Sequence, residues 1–391
     1  MQIYSEAVAS LASRIDPVML VRVDTLVDRI VAAKERGGKV AVVTGSGPNI
    51  HEGVTTLIAE LIRAGVVDAV TTSSAVVAHE MGGTLDEVKR CPGAGLDVDS
   101  AWLPKGDEFE LSVMSDDSLR ALEQDIRLDW ALIERLKQSD GKTIIKAAGN
   151  LGYPMGLWVE HISVCIRDRA RDEGVPFEVV AGRFADPCTM IGAGARTDKP
   201  VLVTIPQLIG GGAVGLNIGD SISITERAER LARMMDSADV VIESGVALTQ
   251  EIHDGPFELH TGHGLWAAWQ GQFAYSLEGK TLARIDLDPA LEKVYQAEQG
   301  DAAVQQAIAD GKPKTKLFDV PFRMEMSGFA RHAGAVPIIA DIGVVWPIVA
   351  SRVAERLGLT LEFMSYPQDT EQGQAARRWI VDEVSPTERP D

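Results

Sequence analysis

Cysteine is scarce in this chain, basic charge is in deficit, and no long apolar run occurs. The three cysteines among 391 residues, Cys91, Cys165 and Cys188, are far apart and form no C-x-x-C pair. That spacing excludes a disulfide framework or a zinc ribbon as a reading of the sequence, and a reducing cytoplasm is the simplest home. Lys and Arg number 38 against 57 Asp and Glu, for a net charge of −19. Nucleic acid and anionic membrane both reward clustered basic residues, so neither is expected as a partner. A cationic or zwitterionic amine suits the field, although an acid excess also serves solubility alone. No segment approaches the roughly 20 apolar residues of a membrane helix, and the first residues carry Glu6 and Asp16 rather than a continuous apolar core. Also missing are G-x-G-x-x-G and G-x-x-x-x-G-K-[ST], so neither standard nucleotide motif is available.

What is present is an alternation of short β-branched runs and helical patterns. Lys39 to Thr44 is a strand pattern ending in Gly45-Ser46-Gly47, Gly53 to Ala64 has apolar residues at helical spacing, and Val66 to Val70 reads as a second strand. This is a βαβ unit, with glycines where a backbone would approach a phosphate. Further strand patterns fall at Thr143 to Ala147, Phe177 to Ala181, Val201 to Ile205, Val240 to Glu243, Ala283 to Asp286 and Val336 to Ala340. The alternation predicts an α/β fold, a doubly wound, mostly parallel, Rossmann-like sheet covered by helices. Residues 1–37 read as an N-terminal helical arm, 38–370 as the α/β catalytic domain and 371–391 as a loose tail. Gly82 to Glu110 and Gln296 to Met326 are rich in turn formers and read as long loops.

In such a sheet the ligand lies beyond the carboxyl ends of the strands. The exits are polar: Ser46, Gly47, Asn49 and His51; Thr72 and Ser73, then His79 and Glu80; Asp186 and Cys188; Glu251 and His253; Asp286 and Asp288; and Asp341. Any one exit could be turn chemistry, but their recurrence favours a site. The H-x-x-H of His260 and His263, soon after His253, suggests zinc at first sight, yet helical and finger sites favour i, i+4 or paired Cys and His, no further ligand follows at a familiar distance and no metal is expected. A loop histidine above the site could instead move protons near neutral pH. His79-Glu80, read at the start of the second helix, could be an acid/base pair or a plain helix-start pair. The glycine-rich Ile209 to Gly219 could wrap an anion or act as a hinge. Trp158, Trp266, Trp269 and Trp346 read as core or interface residues more than as ligand stackers.

Together, Gly47-Pro48 followed by His51 and Gly53, Ala78-His79-Glu80, VPFEVVAG before Asp186, ADVVIESG, IDLDPALEKV and IADIGVVWPIV resemble the deoxyhypusine synthase-like group. The likeness is greatest to the ornithine cyclodeaminase domain of archaeal and cyanobacterial arginine-catabolic enzymes, and spans most of Lys39 to Glu355. It implies an NAD cofactor used and regenerated within one turnover. On that resemblance Ser46, Gly47, Asn49, Thr72, Ser73, Asp286 and Asp341 would hold NAD. Asp186 and Glu251 would meet a substrate amine, with His253 near the nicotinamide and His79 a further acid/base candidate. The implied activity is an NAD-dependent lyase that oxidises a small amine or amino acid to an imine before elimination or cyclisation. Alternatives are an aminoalkyl transferase of the deoxyhypusine or homospermidine synthase type, and a non-catalytic NAD-binding regulatory module. The resemblance also implies a homo-oligomer, dimer or tetramer. Ala170 stands where the cyclodeaminases carry a cysteine, and the motif around the synthases' imine-forming lysine has no match, Lys280 lying only in the same general region.

Overall fold

The computed structural model describes residues 2–45, 47–99, 101, 107–149, 152–245, 258–259, 264–321 and 329–390. The central layer is a parallel sheet of six strands: β1 (Val40–Thr44), β2 (Ala69–Thr72), β7 (Val201–Val203), β8 (Val240–Ser244), β9 (Thr281–Asp286) and β10 (Ala335–Ile339). Every residue of β1, β2, β7 and β8 is buried, which is why these strands read as short runs rich in β-branched residues without an apolar–polar alternation. The spatial order is β10-β9-β8-β1-β2-β7. Counted within this sheet alone, that is 3-2-1-4-5-6, the doubly wound order whose winding reverses between the first and fourth strands. Here the reversal falls between β1 and β8, paired in register from Val40 with Val240 to Thr44 with Ser244. The α/β, Rossmann-like expectation therefore holds.

Helices cover both faces. On one side Pro17–Glu35 is capped by Asp16, starts with Pro17 at its first position and buries Val23, Leu26, Val27, Ile30 and Val31. These positions form a single apolar stripe, and it packs on the sheet and on the Ile342–Leu357 helix. On the other face Ile224–Ser237 buries Leu231, Ala232 and Met235.

Between β2 and β7 the chain builds a second, mixed sheet of four strands in the order β5-β3-β4-β6, from β3 (Leu85–Pro92), β4 (Glu108–Ser112), β5 (Lys142–Ala147) and β6 (Gly152–Tyr153). The expected loop at 82–110 thus holds β3 and the start of β4. Its turn formers mark the β3–β4 connection rather than the whole segment. The second expected loop holds Ala302–Ala309 and Lys314–Phe318, both helical.

Phe177–Ala181 is not a strand but the start of a helix, Phe177–Phe184, which buries Phe177, Val180 and Ala181. The spacing i, i+3, i+4 is helical, and Pro176 sits at its N-cap; a five-residue apolar run does not separate the two states by itself. Nor is 371–391 a loose tail. Glu371–Glu383 is a helix capped by Thr370, and the segment beyond it is tied down by Thr387 N–H to the Met81 carbonyl (2.9 Å), Glu388 N–H to the Phe184 carbonyl (3.1 Å) and Trp158 Nε1–H to the Thr387 carbonyl (3.3 Å).

Candidate functional site

A cleft of about 1290 Å³ runs along the carboxyl edge of the large sheet. All six strand exits reach it: Gly45, Gly47 and Asn49 after β1, Ser73 after β2, Gln207 after β7, Ser244 and Gly245 at the end of β8, Asp286 at the end of β9 and Asp341 after β10. The opposite wall comes from outside that sheet. Thr143 to Lys146 of β5, Glu87 and Arg90 of β3, and Gln374, Arg377 and Arg378 of the last helix close it.

The two exits at the winding reversal are locked together. Trp346 Nε1–H donates to Ser244 Oγ at 3.0 Å, Ser244 Oγ–H to Asn49 Oδ1 at 2.5 Å, and Asn49 Nδ2–H returns to the Ser244 carbonyl at 3.2 Å. All three residues are buried, so the network fixes the Asn49 amide rather than leaving it to sample rotamers. Gly47 (φ 72°) and Gly245 (φ 102°) flank this lock, and a Cβ built on either meets nothing within 4 Å. Both present bare backbone to the cleft from adjacent strands. That geometry fits an elongated phosphate-bearing ligand crossing the reversal point, with the carboxylates of Asp286 and Asp341 at the neighbouring exits suited to ribose hydroxyls.

Of the residues singled out from sequence, Gly47, Asn49, Ser73, Asp286 and Asp341 therefore meet in one cleft. Thr72 is fully buried one position before Ser73 and supports the exit instead of lining it. Ser46, Glu251 and His253 lie outside the described residues, as do His260 and His263. Asp186 is not brought to the cleft. Its carboxylate accepts backbone N–H groups from Cys188 (2.7 Å) and Ser385 (3.1 Å). The reason is the helix at 177–184: Asp186 follows a helix rather than a strand, so it never reaches the sheet's carboxyl edge.

His79 and Glu80 close the Ser74–Met81 helix rather than opening it. His79 Nδ1–H donates to the Ala148 carbonyl at 2.6 Å, which makes Nε2 the acceptor, and burial holds its pKa below the ordinary imidazole value. Glu80 points elsewhere: it is fully buried and accepts from Met190 N–H (2.7 Å) and Ile191 N–H (3.1 Å) at the start of the Met190–Thr197 helix. The two are not an acid/base pair. The glycine-rich 209–219 segment likewise serves packing, since a Cβ on Gly211 would lie 2.7 Å from the Ser74 backbone; only its neighbour Gln207 lines the cleft.

Sequence reading missed the catalytic promise of His51 and the whole far wall. His51 lines the cleft, and burial, then the charges of Arg377, His79 and Lys146, push its pKa below the usual imidazole value. It is thus a neutral imidazole at physiological pH, able to accept a proton. Beside it, burial raises the Glu52 carboxyl above the ordinary range, against the Gln368 N–H that its Oε2 accepts at 2.7 Å. On the far wall Glu110 accepts from both Arg90 Nε (2.9 Å) and Lys146 Nζ (2.6 Å), while Arg378 pairs with both oxygens of Glu87 (2.9 and 3.1 Å). Lys280 is remote, since it precedes β9 at the sheet's amino edge and donates to the Asp236 and Ala238 carbonyls. Among the described residues no cluster suited to a metal ion occurs, and no helix is long and apolar enough to cross a membrane.

No protein-family model and no curated protein matches the chain. Solved structures of similar fold include a conserved LOR/SDH protein from Methanococcus maripaludis S2, with 12% identity, TM-score 0.42, and coverage of 88% of this chain and 70% of that one. AgrE in a ternary complex with ornithine and NAD+ gives 14% identity and TM-score 0.41 over 86% of this chain. ArgZ, an arginine dihydrolase of the ornithine–ammonia cycle in Cyanobacteria, gives 13% identity and TM-score 0.41 over 87%. The chain spans about a third of the length of AgrE and of ArgZ, the match covering 33% and 32% of them. At these values the likeness concerns fold and carries no assignment of activity.

Proposed function

We propose that the protein is an NAD-dependent enzyme that acts on a small amine or amino acid, oxidising it transiently to an imine that then undergoes elimination or cyclisation. The observation that carries this reading is the cleft at the β1–β8 reversal of a 3-2-1-4-5-6 sheet, the position at which doubly wound folds bind dinucleotides. The resemblance of the strand exits to the cyclodeaminase domain supplies the choice of substrate and reaction.

Gly47, Gly245, Asn49 and Ser73 would hold the dinucleotide, and Asp286 and Asp341 its ribose hydroxyls. When bound, NAD supplies a hydride acceptor that can return the hydride later in the turnover. The chain's own contribution is orientation and proton transfer. His51, held neutral by burial and by the surrounding cations, would take a proton from the substrate ammonium as the carbon–nitrogen bond gains double-bond character. The β5 wall and the last helix would shield the imine from bulk water until elimination or ring closure. The aminoalkyl-transfer alternative draws no support from Lys280, which sits at the wrong edge of the sheet.

The test is to denature purified protein and analyse the released small molecules by mass spectrometry, then to screen an amine panel for ammonia release. Released NAD, or a thermal shift on adding NAD, is the expected result. A protein that neither carries NAD nor is stabilised by it would sink the proposal.

A further inference from the structure

The cations of the far wall are not equivalent. Arg90 and Lys146 share the carboxylate of Glu110, Arg90 also lying 3.9 Å from Glu108, and Arg378 is paired with Glu87. Arg377 alone among these four forms no ion pair with a described residue, although it is 92% buried by its 8% exposure. Among the described residues its guanidinium makes one hydrogen bond, from Nη2 to the Ile145 carbonyl at 2.6 Å, and its buried Nε has no acceptor. The nearby carboxylate of Glu52 is directed at Gln368 N–H. A buried guanidinium with unfilled donors is costly to maintain in a folded protein unless an anion completes it. The bond to Ile145 pins the planar fork against β5, so the remaining donors are presented in a fixed orientation suited to a carboxylate.

We infer that Arg377 anchors a carboxylate of the substrate, which narrows the substrate class from amines in general to amino acids. This rests on the reading of the cleft as an amine-oxidising site. The anion is assigned to the substrate rather than to the cofactor's phosphates because Arg377 stands on the wall built by β5 and the last helix. The bare-backbone exits at Gly47 and Gly245, suited to phosphates, belong instead to the large sheet. His51 lines the same cleft, next to Glu52 in the chain and close enough to Arg377 to feel its charge, where a proton acceptor for an α-amino group would be needed.

The experiment compares wild type, Arg377→Met and Arg377→Lys. Each is titrated by calorimetry, with and without saturating NAD, against ornithine and the common amino acids and against the amine each gives on decarboxylation. Wild type should prefer at least one amino acid over its decarboxylated amine by roughly tenfold to a hundredfold, the range of a hydrogen bond to a charged group. Arg377→Met should abolish that preference with NAD affinity changed less than about twofold; Arg377→Lys, which keeps the charge but not the fork, should retain part of it. Circular dichroism and the unfolding midpoint report whether each variant is folded, and Arg377→Lys carries the test if Arg377→Met is not. Equal loss of NAD and amino-acid binding would overturn the inference by placing Arg377 at the cofactor, and a wild type with no carboxylate preference across the panel would overturn it outright. Failure to bind NAD would sink the proposed function alone, because carboxylate preference is read in the NAD-free titrations as well.

Discussion

Replacing Gly47 by alanine separates backbone strain from occupancy of the cleft. Gly47 has φ 72° and ψ −118°, a conformation that costs an L-residue about 1–3 kcal/mol. A Cβ there meets no protein atom within 4 Å, so the loss of stability should come from the backbone and not from collision. Gly65, at φ 80° in the turn before β2 and also with nothing within 4 Å, is a matched control at the sheet's amino edge, with an expected cost of about 1–2 kcal/mol. Urea unfolding should therefore show similar losses for Gly47→Ala and Gly65→Ala. Binding should part them. Strain present in both the free and the bound protein cancels in an affinity, so Gly65→Ala should bind NAD like wild type. In Gly47→Ala the new methyl occupies the space that the dinucleotide needs, and affinity should fall at least about tenfold, or roughly 1.4 kcal/mol. Unchanged NAD affinity in Gly47→Ala, with the stability loss observed, would refute the placement of the dinucleotide over the β1 turn.

Three further outcomes are expected. Because His51 must be neutral to accept a proton and its pKa is held below 6.5, kcat/KM should fall only on the acid side of an inflection lying below that value. His51→Asn should remove the inflection with a rate loss of about 10²–10⁴-fold, and a mutant that keeps the inflection would exonerate His51. Glu178 and Arg227 are buried at 2% and 0% exposure and form an ion pair of 2.5 Å that also receives Val203 N–H at 2.7 Å. Glu178→Ala should cost about 3–5 kcal/mol, whereas Glu178→Leu combined with Arg227→Met should cost much less; urea denaturation that ranks them the other way round contradicts the account. Burial raises the Glu80 carboxyl from 4.5 to about 7 against the two N–H groups it accepts. The folded state therefore holds this proton longer than the unfolded chain, so its contribution is full below about pH 4.5 and is lost as pH rises towards 7. The difference in unfolding free energy between wild type and Glu80→Gln should follow that direction, and an opposite slope would show the helix-start N–H groups prevailing over burial.

Much of the large sheet was legible because buried parallel strands write themselves as short β-branched runs followed by polar turns. β1, β8, β9 and β10 lie close to where the runs fall, and the exits of β1, β2, β9 and β10 supplied five residues of the cleft. Two errors have one cause. A run such as Phe177 to Ala181 is apolar in either state, and only its burial at i, i+3 and i+4 after Pro176 makes it a helix. Once that segment was read as a strand, Asp186 became an exit carboxylate, although in the fold it closes a turn with Cys188 and holds Ser385. The glycines at 209–219 were ambiguous for a related reason: a glycine that admits a neighbouring helix and one that admits a phosphate look alike in sequence.

The far wall was illegible for a different reason. In EQGQAARRWIVDE two arginines adjoin on a polar helix, and nothing local distinguishes them. Their roles are set by partners about 230 and 290 positions away in sequence, Ile145 for Arg377 and Glu87 for Arg378. One pairing neutralises its arginine and the other does not. A carboxylate at position 87 and a carbonyl at position 145 thus decide which cation remains to meet a ligand. The large sheet's exits can be read one at a time, because each strand carries its own turn. Specificity on the opposite wall arises from what the inserted sheet and the last helix leave unsatisfied in each other, and that quantity exists only after both have docked.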